Sequence, residues 1–292
     1  MTPPVALLKT LRPHQWVKNL FVAAALVFSH HLTDPHHAIR AALAVLAFCA
    51  LSGAVYAFND VRDVEADRAH PTKRHRPIAA GQLSERGALI WAGVLATSAL
   101  AGCLVLDRWL AAFALAYLVQ NILYSVRLKQ VAFLDVALIA SGFLLRVLAG
   151  ASAIGVPASE WLLLCTALLA TFLGLGKRAH ELAWAERTGQ TVTTRAALAG
   201  YRIGVVTLAM YVLAVATCVA YAAYTVMGAP GVFGTDRLVY SSPFVALGIL
   251  RYLYLALWRP KDESPTEAML KDPWFLVDLA GATATVLYII YA

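Results

Sequence analysis

Residues 38–58 read AIRAALAVLAFCALSGAVYAF, and residues 59–67, which follow directly, read NDVRDVEAD. The first segment is an apolar run of about 20 residues, the length that a helix needs to cross the hydrocarbon core of a bilayer. The second segment turns to acidic side chains. This combination predicts a membrane helix that carries a polar, chemically active cluster at its end.

The whole chain has the composition of a membrane protein. Of its 292 residues, 60% are hydrophobic and 14% are charged, and the mean hydropathy is +0.67. A soluble domain carries about a quarter charged residues, so this composition argues against a soluble enzyme and against a disordered chain. The long unbroken apolar runs argue against a β-barrel, whose strands alternate. The predicted fold class is all-α, a polytopic membrane protein.

Nine runs are long enough to span a bilayer, which predicts nine transmembrane helices in a single domain over residues 1–292. The first run follows several basic residues and is expected to be a retained span and not a cleaved signal. The nine predicted spans are 17–32, 38–58, 87–106, 109–124, 133–154, 160–176, 203–227, 239–258 and 274–292.

The basic residues predict the orientation. With the N-terminus in the cytoplasm, most of the 24 Lys and Arg residues fall on the cytoplasmic side, whereas Arg40, Arg108 and Arg237 lie on the opposite side. We therefore expect a multi-pass protein of the inner (plasma) membrane whose long polar stretches, 59–86 and 177–202, face the cytoplasm. The net charge of +7 is spread over short loops, which predicts no nucleic-acid binding.

The acidic segment has a regular spacing. Asn59, Asp63 and Asp67 are four residues apart and share one face if the helix continues, with Asp60 beside them. Crowded oxygen ligands repel each other without a cation, and Mg²⁺ prefers hard oxygen ligands together with a substrate diphosphate. The spacing favours a magnesium–diphosphate site with Asn59, Asp63 and Asp67 as ligands. The alternative is a solvated helix end whose acids pair with neighbouring arginines.

A basic loop, HPTKRHRPI at residues 70–78, follows the acidic segment. Its cations are suited to the other side of a phosphate group, although positive charge of this kind also serves topology alone. Arg76 is the best-placed phosphate contact, because Pro77 fixes the backbone next to it.

The pattern Asn-Asp-x-x-Asp-x-x-x-Asp, followed by this basic loop, resembles the UbiA superfamily of intramembrane prenyltransferases. The resemblance implies a nine-helix UbiA-type bundle with its active site at the cytoplasmic face, and it covers nearly the whole chain. Four further segments resemble the phosphoribosyltransferase branch of that superfamily, which acts on decaprenyl phosphate: RPHQWVKN at 12–19, YSVRLK at 124–129, LLRVLAG at 144–150 and GKRAHEL at 176–182.

One segment departs from the wider superfamily. Ordinary members carry a second Asp-x-x-x-Asp motif in the loop after the sixth span, whereas this chain has Lys177, Arg178 and Glu181 there. Two acidic motifs suit a diphosphate surrounded by cations. One acidic motif opposite a basic one suits a magnesium-bound diphosphate and a bare phosphate, which phosphoribosyl pyrophosphate and a lipid monophosphate present together.

The resemblance implies a transferase that moves 5-phosphoribose from phosphoribosyl pyrophosphate to a polyprenyl (decaprenyl) phosphate and releases pyrophosphate. Mg²⁺ would stabilise the leaving pyrophosphate, and the ionised lipid phosphate would attack the anomeric carbon through an oxocarbenium-like state. Asp60, Asp63 and Asp67 take the catalytic roles. The resemblance also implies a place in cell-wall arabinan biosynthesis, and a homo-oligomer is left open.

Basic and polar residues near the predicted face are the candidates for substrate binding. Arg146 lies inside the fifth span, where a charge costs about 2.5–3.5 kcal/mol unless it is paired or faces a cavity. It is therefore either a cavity wall near the lipid phosphate or a buried structural pair, with Asp135 or a residue of another span as its partner. The predicted substrate-binding residues are Lys18, Lys73, Arg74, Arg76, Tyr124, Arg127, Lys129, Arg146, Lys177, Arg178 and Glu181.

Two other functions are compatible with the composition. A UbiA-type prenyltransferase would move a polyprenyl group from its diphosphate to an aromatic or other acceptor, but the missing second aspartate motif argues against it. A lipid transporter would use charges inside the membrane, whereas transporters place their polar sites near the midplane and this chain gathers them at one face.

Overall fold

A computed structural model describes residues 3–188, 196–259 and 264–292, and all regular structure within these ranges is helical. The α-helices are α1 (Pro3–Thr10), α2 (Ala24–Phe28), α3 (Pro35–Arg62), α4 (Val64–Ala69), α5 (Glu85–Leu106), α6 (Arg108–Val126), α7 (Leu134–Ile154), α8 (Glu160–Thr188), α9 (Ile203–Ala223), α10 (Ala229–Phe233), α11 (Ser242–Leu253), α12 (Pro265–Leu270) and α13 (Pro273–Tyr291). Short 3₁₀ helices cover Pro13–Ala23, Lys73–His75, Leu128–Gln130, Ala196–Gly200 and Arg237–Ser241, and π-helical turns cover Tyr224–Gly228 and Tyr254–Trp258.

Eight helical segments of the described chain are long and apolar enough to cross a membrane. They match the second to ninth predicted spans, and the protein is accordingly an all-helical, multi-pass membrane protein. The eight segments are Pro35–Arg62, Glu85–Leu106, Arg108–Val126, Leu134–Ile154, Glu160–Arg187, Ile203–Phe233, Arg237–Trp258 and Pro273–Tyr291.

The first predicted span, 17–32, has a different form. It falls on the 3₁₀ helix Pro13–Ala23 and the short helix α2, with 11 and 5 residues. A 3₁₀ helix rises about 2.0 Å per residue, so the two together extend about 30 Å, close to the thickness of a hydrocarbon core. The count of nine crossings stays a prediction.

Tertiary contacts hold this segment against two long helices. The fully buried Asn19 donates from Nδ2 to Ser52 Oγ of α3 at 3.1 Å and to Cys49 Sγ at 3.3 Å. The backbone of Val22 approaches α7 at Gly150, where an added Cβ would lie 1.7 Å from the Val22 carbonyl oxygen. A hydropathy pattern does not reveal contacts of this kind. They occur in the segment Pro13–Ala23, which winds as a 3₁₀ helix instead of an α-helix.

Two long helices begin with an acidic side chain followed by proline. Asp34 accepts hydrogen bonds from the backbone of His36 and His37 at the start of α3, and Asp272 accepts one from Phe275 N at the start of α13. Each carboxylate accepts hydrogen bonds from backbone N–H groups that have no partner inside the helix. The proline at the first helical position has no N–H group, so it needs no such partner.

Helix α8 continues beyond the predicted end of the sixth span. The sequence predicts a loop after residue 176, but the helix runs to Thr188, so the loop prediction for Lys177, Arg178 and Glu181 is wrong. The segment after residue 176 is rich in good helix formers, and Arg178 pairs with Glu181 three residues later along the same helix. These local preferences extend the helix past its apolar part.

The chain divides into two compact units, Met1–Val126 with Leu145–Ala158, and Arg127–Leu144 with Ser159–Ala292. In the first unit, Phe48 of α3 packs on Tyr117 of α6 with ring centroids 5.2 Å apart. In the second, a core around α8, α9 and α11 includes Phe172 and Tyr252, also 5.2 Å apart. That the whole chain is one domain stays a prediction.

Apolar side chains stand exposed along α9. Leu208, Val212, Val215 and Val219 are 60–65% exposed and recur every three or four residues, which places them on one face of the helix. A face of this kind is costly in water and favourable against lipid chains. The exposed stripe agrees with the assignment of this helix to the membrane.

We expect Gly150→Ala to destabilise the fold, because the new Cβ would collide with a backbone oxygen that no side-chain rotation can move. Overpacking of this kind costs about 1–3 kcal/mol. The measurement is the melting temperature of the purified protein in detergent, and the control is Gly93→Ala, whose Cβ meets nothing within 4 Å. Equal melting temperatures for the two variants would contradict the close approach.

Candidate functional site

The acidic segment forms the junction between α3 and α4. Helix α3 ends at Arg62, and Asp63 stands between it and α4. Across this break, Asp63 N still donates to Asn59 O at 2.9 Å and Asp67 N to Asp63 O at 2.8 Å. The predicted four-residue register of Asn59, Asp63 and Asp67 therefore persists although the helix is interrupted.

Two of the acids are buried and share arginine partners. Asp60 and Asp67 are 2% and 3% exposed. Arg76 Nη1 donates to Asp60 Oδ1 at 3.1 Å and to Asp67 Oδ2 at 2.7 Å, and Arg12 Nη2 donates to the same Asp60 oxygen. We call these four residues the arginine–aspartate cluster. Its two carboxylates and two guanidinium groups balance each other, which makes their burial tolerable.

The alternative interpretation, in which acids of a solvated helix end pair with neighbouring arginines, describes one acid of the segment. The exposed Glu65 pairs with Arg68 at 2.6 Å, and Arg68 also approaches Glu85 at 3.7 Å. The buried Asp60 and Asp67 are met from more distant positions by Arg12 and Arg76. The pairing with neighbouring arginines thus does not extend to the two buried acids.

The basic loop brings Arg76 to the acids through an apolar anchor. Ile78 is 2% exposed and packs with Val64 of α4 and Ala88 of α5. Arg76 has an extended backbone, at φ −64° and ψ 144°, where it ends the 3₁₀ helix Lys73–His75. Lys73 and Arg74, in contrast, are exposed.

The oxygen ligands at the junction fit a magnesium ion that is shared with a substrate. Within the described ranges, no group of three or more His, Cys, Asp or Glu residues is arranged to hold a metal by itself. Mg²⁺, however, usually keeps waters and binds through one or two carboxylates together with substrate phosphates. Asn59, Asp63 and Asp67, in their common register, offer hard oxygen atoms of that kind.

A second polar cluster lies within the other unit. The fully buried Arg178 places Nε 3.0 Å from Asp135 Oδ2 and also donates to Glu181 Oε2. Tyr201 donates to Asp135 Oδ1 at 2.5 Å. We call Asp135, Arg178, Glu181 and Tyr201 the Asp135–Arg178 cluster. Two carboxylates thus face one guanidinium, and Asp135 is the fully buried one of the two, whereas Glu181 is partly exposed.

Tyr201 also fixes the turn that precedes α7. Its hydroxyl accepts a hydrogen bond from Phe133 N at 2.7 Å, and the two rings lie 4.7 Å apart. Phe133 has a φ of +64°, which is unusual for a bulky side chain and needs such support. Burial, together with donation to Asp135, raises the pKa of Tyr201, so the phenol keeps its proton.

Arg146 has neutral partners in another part of the fold. Its Nε donates to Asn19 Oδ1 at 2.9 Å, its Nη2 donates to Tyr117 O–H at 2.8 Å, and its guanidinium lies 4.6 Å from the Tyr117 ring centroid. Asp135 as its partner is wrong, because Asp135 pairs with Arg178. Eleven residues extend about 16 Å along a helix, beyond the reach of the two side chains.

The remaining predicted residues occupy both units. In the first unit, Lys18 Nζ donates to Gln15 Oε1 at 2.7 Å. Tyr124 near the end of α6 is half-buried. In the second, Arg127 is exposed, and Lys129 and Lys177 are half-buried. Their predicted contacts with substrate stay predictions.

Sequence reasoning missed several residues of these clusters. Arg12 and Asn19 entered the sequence analysis only as the ends of the segment 12–19, and neither Tyr117 nor Tyr201 had any assigned role. The available signal was the cost of burying Asp60 and Arg146 without partners. The cost implies that each buried charge has a partner, but it does not identify the distant residue that provides it.

The sequence pattern of the UbiA prenyltransferase family matches residues 19–277, most of the chain. The protein belongs to the UbiA prenyltransferase family. The resemblance inferred from the Asn59–Asp67 motif is thereby confirmed.

Curated relatives of this UbiA protein include decaprenyl-phosphate phosphoribosyltransferases. The protein of that name from Mycolicibacterium smegmatis is 42% identical over 192 residues, covering 64% of this chain and 60% of the relative. The one from Mycobacterium tuberculosis is 41% identical over 188 residues, covering 63% and 62%. The matched part thus spans about three fifths of these relatives.

A solved structure shows the same fold. The UbiA homolog from Archaeoglobus fulgidus bound to GPP and Mg²⁺ superposes with a TM-score of 0.72 over 98% of this chain and all of that one, at 20% identity. At this identity the likeness concerns the fold.

We expect Asp135→Ala to destabilise the protein by about 3 kcal/mol, because it leaves Arg178 buried with one carboxylate fewer. Equilibrium unfolding in detergent measures the loss. The control is Glu65→Ala, which removes an acid from an exposed pair with Arg68 and should change stability little. A loss no larger than that of the control would show that the buried pair is not needed for the fold.

Proposed function

We propose that the protein is a membrane phosphoribosyltransferase that transfers 5-phosphoribose from phosphoribosyl pyrophosphate to a polyprenyl phosphate, with release of pyrophosphate. The observation that carries the proposal is the α3–α4 junction, where Asn59, Asp63 and Asp67 keep a common register and Arg76 contacts the buried Asp67. The names of the relatives support decaprenyl phosphate as the acceptor. On this proposal the single UbiA-like domain works in cell-wall arabinan synthesis.

Asn59, Asp63 and Asp67 would hold the magnesium ion together with the donor diphosphate. When bound, Mg²⁺ supplies positive charge that stabilises the leaving pyrophosphate. The carboxylate of Asp63 would stabilise the positive charge that develops on the ribose ring, and Asp60, paired with Arg12 and Arg76, would act beside the metal ligands. The lipid phosphate is already ionised near neutral pH, so the reaction needs no strong general base.

The basic residues of the first unit serve the diphosphate. Arg76 already reaches the junction, and the exposed Lys73 and Arg74 precede it in the same loop. A planar guanidinium can hold two phosphate oxygens at once, whereas a lysine acts as a flexible point charge. Lys18 and Tyr124 complete the proposed contacts of this unit.

Among the residues of the second unit that the sequence predicts to contact anions, the proposal changes two assignments. Arg178 is fully buried and paired with both Asp135 and Glu181, so we assign Arg178 and Glu181 to the structure of α8. Lys177, beside them on α8, and Arg127 and Lys129 are the residues assigned to the ribose 5-phosphate or the lipid phosphate. Arg146, held by two neutral partners, is assigned to the structure of the first unit.

The positive loops support an orientation with the N-terminus and the α3–α4 junction in the cytoplasm of the cell, within the inner (plasma) membrane. A water-soluble donor would then reach the site from the cytoplasm while the lipid acceptor arrives from the bilayer.

A second candidate function is transfer of a polyprenyl group from its diphosphate to an aromatic or other acceptor. The family name and the fold shared with the archaeal homolog bound to GPP and Mg²⁺ favour it. The segment with Lys177, Arg178 and Glu181 in place of a second aspartate motif argues against it.

The deciding experiment gives the purified full-length protein Mg²⁺, labelled phosphoribosyl pyrophosphate and decaprenyl phosphate. We expect a labelled, solvent-extractable lipid that forms only when all three are present. A parallel reaction contains a polyprenyl diphosphate and 4-hydroxybenzoate. Prenylation of the aromatic acid without any labelled phosphoribosyl lipid would overturn the proposal in favour of the second candidate.

Asp63→Ala should reduce phosphoribosyl transfer by about a thousandfold, because it removes a proposed metal ligand from the junction. The matched control is Glu65→Ala, which removes an acid two residues away that pairs with Arg68 on the surface. We expect the control to keep wild-type kcat, and both variants to keep wild-type melting temperatures. Transfer by Asp63→Ala at the rate of the control would remove Asp63 from the metal site.

A further inference from the structure

Arg12 reaches the acidic junction from a distant part of the sequence, 48 positions before Asp60. Its backbone is left-handed, with φ 52° and ψ 63°, a conformation that residues with a Cβ seldom adopt. Strained positions of this kind persist only where surrounding contacts enforce them. The neighbours of Arg12 therefore show what the strain serves.

Both flanks of Arg12 are fixed. Leu11 packs on α3 so closely that a Cβ added at Gly53 would lie 2.9 Å from Leu11 Cδ2. Trp16 Nε1 donates to the Leu11 carbonyl oxygen at 3.1 Å. Beyond this anchor, the guanidinium lies 5.0 Å from the ring centroid of Tyr56, one helical turn before Asp60. These contacts aim the Arg12 side chain along α3 at the buried carboxylate.

The charge count of the arginine–aspartate cluster decides what else can bind there. Arg12 and Arg76 bring two positive charges, and Asp60 and Asp67 bring two negative ones. A divalent cation held by Asp63 and Asp67 without an anion would face both guanidinium groups and leave a local charge of about +1 next to buried atoms, with Asp63 counted as a third carboxylate. A diphosphate that accompanies the cation supplies the missing negative charge.

We propose that Arg12 is a positioning residue that holds Asp60 and, together with Arg76, makes cation binding at the junction depend on a diphosphate anion. The cation and the diphosphate then enter as one unit, and a cation without its diphosphate is kept out. This inference rests on the metal and diphosphate site of the proposed function, although not on the lipid acceptor.

Equilibrium dialysis of the purified full-length protein in detergent tests the inference, with Mn²⁺ as the probe and inorganic pyrophosphate as the diphosphate. The quantity measured is the manganese retained with the protein. Wild-type protein should bind Mn²⁺ at least about tenfold more tightly with pyrophosphate than without it. Equal affinity in the two conditions would overturn the proposal, whatever the variants do.

Arg12→Gln removes one of the opposing charges, so it should bind Mn²⁺ without pyrophosphate about tenfold more tightly than wild type. Arg12→Lys keeps the charge and should behave as wild type. The matched control is Arg68→Gln, which makes the same charge change on the exposed surface at Glu65 and Glu85 and should also behave as wild type.

The proposal is overturned if Arg12→Gln binds free Mn²⁺ no more tightly than Arg68→Gln, or if Arg12→Lys binds it as tightly as Arg12→Gln. Thermal melting identifies any variant that does not fold. In that case the comparison of Mn²⁺ binding by wild-type protein with and without pyrophosphate decides whether the proposal holds. No measurement here involves transfer to a lipid, so an absence of phosphoribosyl transfer contradicts the proposed function and leaves this result standing.

Discussion

A carboxylate at the end of a membrane helix must either find a positive partner or stay in water, and Asp60 and Asp67 do the former. Both are almost fully buried, and both depend on Arg76, with Arg12 as a further partner of Asp60. The loop after α4 and the left-handed backbone of Arg12 before the first apolar segment both bring a guanidinium to these buried carboxylates.

The same rule governs the buried charges of the other clusters, with different solutions. Arg178 is balanced by two acids, one from α7 and one from its own helix. Arg146 is held instead by an amide, a phenol and the face of an aromatic ring. Ion pairs and neutral dipoles therefore both stabilise charge in this protein. A basic residue in an apolar segment is thus no direct sign of an anionic ligand.

The sequence was sufficient for whatever depends on local pattern. Apolar run length predicted the long helices from Pro35 to Tyr291, and the four-residue spacing after Phe58 predicted the register at the α3–α4 junction. It failed in two places, one where tertiary contacts override the local pattern and one where apolar run length misses other local preferences for a helix. The first predicted span winds as a 3₁₀ helix where Val22 meets Gly150, and α8 passes its apolar end because residues after Gly176 favour a helix. Partners such as Arg12 for Asp60 are set by the fold, and spacing does not report them.

The sequence order of the arginine–aspartate cluster has a consequence for biosynthesis. All four members lie between residues 12 and 76, so they leave the ribosome before any of the helices from α5 onward. Arg12 is made first, the two acids follow behind α3, and Arg76 comes last. The nascent chain thus holds every charge that the junction needs while most of its membrane segments are still unsynthesised.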